Sequence, residues 1–207
     1  MTYNRDIHHR RSIRLRGYDY SSIGAYFVTI CVHERQCLFG DIVDGEMWLN
    51  DFGNIIATEW MRLTELRPDI ETGEYVVMPN HFHGIVHIIE QSTALIDKDN
   101  VGTIHTVGAI HELPLQKRQQ RRNMILPKIV GRFKMITTKQ INIIRDTPGV
   151  PLWQRNYYEH IIRDDADYTR IAEYLDDNPS SWIEDSLHPD NVSLVSHSGN
   201  AHRKGNS

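Results

Sequence analysis

Residues 25–32, AYFVTICV, form an unbroken run of β-branched, aromatic and small apolar positions, which predicts a buried strand. Residues 41–49 carry a second short strand or hairpin around Asp44-Gly45. The pattern then changes period. In DFGNIIATEWMRLTEL the apolar positions Phe52, Ile55, Ile56, Trp60, Leu63 and Leu66 recur at helical spacing, with Asn50 or Asp51 as N-cap and Pro68 as the stop. Residues 74–78 and 82–90 read as two strands broken at Pro79-Asn80, and 124–144 as a second helix. A short strand follows within LWQRNYYEHIIR, and a third helix spans 164–177, ended by Asn178-Pro179. The order strand, strand, helix, strand, strand, helix, strand, helix predicts an α+β layer, an antiparallel sheet with helices on one face.

The same pattern divides the chain. Residues 1–22 form a basic arm, 23–185 one domain with a loop or insertion at about 91–122, and 186–207 a Ser/His/Asn/Gly-rich tail expected to be disordered. A length of 207 residues suits one core of ordinary size.

The polar interruptions are where chemistry enters. His81 and His83 flank Phe82 in a strand, so the two imidazoles share one face while Phe82 faces the other. At ~3.3 Å per residue their Cα atoms lie ~6.6 Å apart, close enough to converge on one metal ion. His87 has the same parity but lies ~13 Å further on, and receives no role. The ordinary alternative is two polar residues on the wet face of a half-exposed strand. On the third helix, Tyr168, Ile171, Ala172 and Leu175 form the core stripe, and Tyr174 stands at its edge with Asn178 one turn later. That pairs a hydroxyl nucleophile with an amide oxygen suited to Mg²⁺ or Mn²⁺. Here too a plainer reading exists: a tyrosine at a stripe edge packs amphipathically, and Asn before Pro stops a helix.

Charge changes the picture only locally. The formal net charge is -4, yet residues 117–145 hold Lys117, Arg118, Arg121, Arg122, Lys128, Arg132, Lys134, Lys139 and Arg145 and no acid. A second basic cluster is Arg5, Arg10, Arg11, Arg14 and Arg16. Local rather than net charge makes a phosphate-binding surface. The two cysteines, Cys31 and Cys37, have neither a disulfide-framework nor a zinc spacing, which places the protein in a reduced, cytoplasmic setting. No apolar run approaches the ~20 residues of a membrane helix, and the N-terminus lacks the apolar core of a secretory signal.

Three stretches carry a family resemblance: VVMPN-His81-Phe82-His83, the WQRNYYEHIIR segment at 153–163, and EYLDDNP at 173–179. With the opening RSIRLRGYDYSSIGAYFVTICVHERQCLFG, they resemble the His-hydrophobe-His single-tyrosine transposases of the insertion-sequence 200 type, closest to the REP-associated tyrosine transposase branch. The resemblance runs from about residue 11 to 183. It implies a ferredoxin-like antiparallel sheet with helices packed on it and the catalytic tyrosine on a C-terminal helix. It implies Tyr174 as nucleophile and a divalent cation, Mg²⁺ or Mn²⁺, on His81, His83 and Asn178. The activity it implies is metal-dependent cleavage and rejoining of hairpin-bearing single-stranded DNA through a 5'-phosphotyrosine, by a monomer or homodimer associated with the nucleoid. Arg11, Arg14, Arg16, Arg121, Arg122, Lys128, Arg132, Lys134 and Lys139 are then the expected DNA contacts, and Tyr157 or Tyr158 a stacking partner for a base. Two rivals remain at this point: a catalytically silent, domesticated DNA-binding protein, and a phosphohydrolase in which His81, His83 and His160 hold a water-activating metal.

Overall fold

A computed structural model describes residues 18–90 and 124–191. Its elements are β1 (Gly24–Cys31), β2 (Gly40–Val43), β3 (Glu46–Leu49), α1 (Asp51–Leu66), β4 (Ile70–Met78), β5 (His81–Ile88), α2 (Ile125–Ile144), β6 (Tyr158–Ile162) and α3 (Asp165–Asp177), followed by 3₁₀ turns at Trp182–Glu184 and Pro189–Asn191. β1, β4, β5 and β6 form one antiparallel sheet in the order β4-β5-β1-β6, and β2 and β3 form a separate hairpin. Leaving that hairpin aside, the chain runs β-α-β-β-α-β, the ferredoxin-like arrangement.

Local sequence accounts for the elements. Asp44 and Gly45 both adopt positive φ (53° and 81°) between β2 and β3, as a tight hairpin turn requires. Asn50 caps α1: its side-chain oxygen accepts from the backbone N–H of Phe52 (2.9 Å) and Gly53 (3.0 Å).

The sheet has two unlike faces. On one, Tyr26, Val28 and Ile30 of β1 and Phe82 and Val86 of β5 meet Ile56, Trp60 and Leu63 of α1 and Ile129, Phe133 and Ile141 of α2. Trp60, Phe82 and Phe133 sit at its centre with ring centroids 4.7–5.4 Å apart. Gly84 makes this packing possible, because a Cβ there would lie 2.7 Å from the Trp60 ring. Such an aromatic cluster buries large apolar area and fixes the strands beneath it.

The opposite face carries only a small cluster, Phe27, Ile85, Ile171 and Leu175, in which α3 packs on the sheet. The helices therefore occupy both faces, not one. Helical periodicity shows which stripe of α3 is apolar but not which side of the sheet receives it. Contacts also reach residues on the far side of both expected domain boundaries. Tyr20, assigned to the arm, is buried in the main core. At the other end, Asn80 Nδ2 donates to the carbonyl of Leu187 (2.8 Å) and Arg35 to that of Ser186 (3.1 Å), and a 3₁₀ turn follows at Pro189–Asn191. Among the described residues no helix is long and apolar enough to cross a membrane.

Candidate metal and nucleophile site

The thinly covered face holds the chemistry. Strand alternation and register place His83 opposite Thr29, and Thr29 opposite Tyr158, so these three form one row across β5, β1 and β6. The next row is Ile85, Phe27 and His160, while His81 lies opposite Cys31. Both metal-candidate histidines are buried, 0% and 2% exposed, and their ring centroids are 4.5 Å apart.

Each imidazole is held by its Nδ1. His81 Nδ1 lies 2.8 Å from Asn80 Oδ1. That amide oxygen is fixed as the acceptor, because Asn80 Nδ2 donates to the carbonyls of Arg35 and Leu187. His81 therefore carries its proton on Nδ1 and presents an Nε2 lone pair. His83 Nδ1 lies 2.7 Å from Thr29 Oγ1. Oxygen partners on Nδ1 are how metal-binding histidines are oriented. Burial, then the neighbouring His83 and Arg35, push the His81 pKa well below its ordinary value, and burial lowers His83 to about 3. Both rings are thus neutral, as ligands must be.

Facing His81 Nε2 at 3.6 Å is Asp185 Oδ2, from the segment after α3. Both atoms are buried and have no hydrogen-bond partner. A lone pair and a carboxylate oxygen, buried face to face, repel one another unless a cation lies between them. His81, His83 and Asp185 each direct a ligand atom into one cluster, all within 4.8 Å of one another. Asp185 escapes sequence reasoning. It lies beyond the last helix, at the final position of the expected domain, and no periodicity connects it to the histidines.

Tyr174 completes the site. Its hydroxyl is 3.2 Å from His83 Nε2, and its ring meets His83 and Phe27 edge-on. Its surroundings raise the phenol pKa, chiefly by burial, with Asp185 adding to the rise and the Asn178 side chain pulling the other way. Tyr174 nonetheless remains 45% exposed, so a substrate can reach it. Asn178 is buried, with Oδ1 unpartnered, and together with Tyr174 and Asp185 it lines a cavity of about 280 Å³. Two neutral imidazoles and a carboxylate form a donor set that could hold a divalent cation.

The remaining residues singled out from sequence fall elsewhere. Arg11, Arg14, Arg16, Arg121 and Arg122 lie outside the described residues. Lys128, Arg132 and Lys139 are exposed along one side of α2. Lys134 is not: its ammonium donates to the carbonyls of Gln154 and Arg155, and burial lowers its pKa to about 8. His160 hydrogen-bonds Asp167 through Nε2 (2.7 Å) and does not join the histidine-aspartate cluster. His87 rests against the Tyr168 ring, centroids 5.8 Å apart.

The chain is 42% identical over 193 residues to an uncharacterized protein of Haemophilus influenzae, an alignment covering 91% of this chain and 98% of that one. It belongs to that protein's family. A second Haemophilus influenzae protein, named "Putative REP-associated tyrosine transposase", is 26% identical over 181 residues, covering 83% of this chain and 84% of that one. Among solved structures, a REP-associated tyrosine transposase bound to a REP hairpin overlays 93% of this chain and 92% of that one, at 18% identity and a TM-score of 0.45. No family model matches the chain.

Proposed function

We propose that the protein is a single-tyrosine DNA transposase that cuts and rejoins hairpin-bearing single-stranded DNA, with Tyr174 as nucleophile. One observation carries the reading. The buried, unpartnered Nε2 of His81 and Oδ2 of Asp185 lie in the same cluster as His83, whose Nε2 is 3.2 Å from the Tyr174 hydroxyl. A cation slot directly beside an accessible phenol suits attack on an anionic phosphodiester better than any other arrangement in the described fold. The 26% identity to the transposase relative supports the same class.

His81, His83 and Asp185, with Asn178 close by, would hold the divalent cation, which supplies charge neutralisation for the phosphate and its developing oxyanion. The protein's own residues do the rest. Thr29 and Asn80 fix the imidazole orientations. The Asn178 side chain, hydrogen-bonded to Tyr174, positions its hydroxyl. Burial keeps that hydroxyl protonated until substrate arrives, so the phenol must lose its proton as it attacks. Its oxygen bonds to phosphorus, the P–O3' bond breaks, and a 5'-phosphotyrosine and a free 3'-OH result. Rejoining reverses the step, since the covalent link conserves the phosphodiester energy that attack by water would lose.

The test uses 5'- and 3'-labelled hairpin single strands taken from repeats flanking the protein's own gene, incubated with Mn²⁺ and resolved on a denaturing gel. A covalent adduct on the 3' fragment is expected. It should vanish in Tyr174→Phe while hairpin binding persists. Hairpin binding without an adduct, with either cation, would overturn the catalytic reading and favour the silent DNA-binding protein.

A further inference from the structure

Resting on the reading above, a second cavity identifies part of what the site accepts. A cleft of about 600 Å³ opens from the nucleophile along the sheet, lined by Phe27, His83, Tyr158, His160, Arg170 and Tyr174. That volume falls within the ~300–1,000 Å³ typical of small-ligand sites. Its two ends differ. His83 and Tyr174 mark the reacting end. At the other, Tyr158 stands on β6, two strands from His83, or roughly 10 Å at ~4.8 Å per strand. Tyr158 is 44% exposed and makes no ring contact with another aromatic residue among those described. An exposed aromatic on a sheet face, unpaired and lining a cleft beside a reactive centre, is the kind of platform on which bases stack.

The wall of this cleft is organised. Asp167 donates its backbone N–H to the Asp164 side chain at the start of α3 (2.8 Å). Its carboxylate in turn holds His160 Nε2 at 2.7 Å and the Arg170 guanidinium. This leaves His160 Nδ1 for a ligand. Arg170 stays 68% exposed in its side chain, with donors to spare. The one acid lining the cleft, Asp185, belongs to the metal cluster at the reacting end.

We propose that this cleft is a nucleotide subsite for the residue next to the scissile phosphate, with Tyr158 stacked on its base and Arg170 on its backbone. The base would lie flat against the sheet, and its phosphate would be directed towards Tyr174. The enzyme would then require an unpaired nucleotide at that position, because a base within a duplex could not present its face to Tyr158.

The test reads binding without cleavage, in the Tyr174→Phe protein with Mn²⁺. Hairpin strands from the repeats flanking the gene carry one 2-aminopurine, moved stepwise through the single-stranded flank. One position should be quenched on binding, and an abasic residue there should weaken affinity. A stacked base is worth roughly 5- to 150-fold in affinity. Adding Tyr158→Ala, or the strand-compatible Tyr158→Thr, should remove both the quench and the abasic penalty, while Tyr158→Phe retains them. If the hairpins still bind and the quench survives both small substitutions, the subsite is wrong and the DNA reading stands. If no hairpin strand binds at all, both fall.

Discussion

Asp185→Asn should stabilise the metal-free protein and remove most of its response to metal. In the metal-free state Asp185 Oδ2 and His81 Nε2 are two buried acceptors 3.6 Å apart. Asparagine keeps the shape, and its oxygen can still accept from the Leu187 N–H as Asp185 Oδ1 does at 2.7 Å. Its amide nitrogen would then point an N–H at the imidazole lone pair. Relieving an unsatisfied buried polar group is worth about 1–3 kcal/mol. For a protein of this size that raises Tm by about 2–12 °C. Metal binding acts in the opposite sense. At a cation concentration of 100 Kd the native protein gains ~2.7 kcal/mol, or about 5–10 °C. Removing a ligand costs at least the ~10–100-fold that loss of an outer-shell partner costs. At 100-fold the cation would raise Tm by only ~1–2 °C. Thermal melts in EDTA and in millimolar Mn²⁺ measure both quantities. A metal-free Asp185→Asn protein that melts lower than the parent, or a mutant that keeps the full Mn²⁺ shift, refutes the cation-slot argument.

The other predictions concern pH and salt. Burial lowers His83 to about 3 from an ordinary value near 6.5, so between these values the unfolded chain binds a proton that the native chain does not. The stability from keeping this ring neutral is complete above pH 6.5 and is lost as pH falls towards 3. From pH 7 to 5 the loss is about 2 kcal/mol for His83, and His81, shifted the same way, adds to it. Urea unfolding in EDTA at the two pH values checks this, and an unchanged midpoint would contradict it. Replacing Lys128, Arg132 and Lys139 together with alanine should reduce the slope of log affinity against log salt by about 0.7 for each phosphate these side chains neutralise, measured on hairpin single strands between 50 and 200 mM salt. Lys134→Ala should instead lower Tm with the slope unchanged, because its ammonium holds the carbonyls of Gln154 and Arg155. An unchanged slope in the triple variant would remove α2 from the DNA path.

Sequence periodicity carries the fold a long way, since the signals are local. Asn50 capping α1, the Asp44-Gly45 turn and the break at Pro79-Asn80 each depend on neighbours within a few residues. The His81/His83 pairing follows from strand alternation, and the placement of Tyr174 at a helix edge from the helical stripe. Asp185 is not readable as a site component, and Tyr158 is no more readable than Tyr157. Their roles depend on which sheet face α3 covers and on β6 pairing with β1, and neither leaves a mark in local spacing. Lys134 has a structural partner that its sequence context does not reveal. Its charge within an acid-free run resembles a phosphate contact, but the half-buried side chain ties the helix to the following loop.

The two faces of the sheet also explain why His-Phe-His works as a unit. Phe82, fully buried between Trp60 and Phe133, anchors β5 on the heavily packed face. The same backbone then presents His81 and His83 on the lightly packed face with little freedom to move. Asn80, one residue earlier, joins this rigid strand to the distant segment that supplies Asp185. Its Oδ1 sets the His81 tautomer, while its Nδ2 holds the carbonyl of Leu187, two residues beyond Asp185. A cation bound by His81, His83 and Asp185 would close the same link from the other side. Metal affinity and docking of the 185–191 segment must therefore be thermodynamically coupled: whatever loosens the segment weakens the site, and cation binding fastens the segment to the sheet.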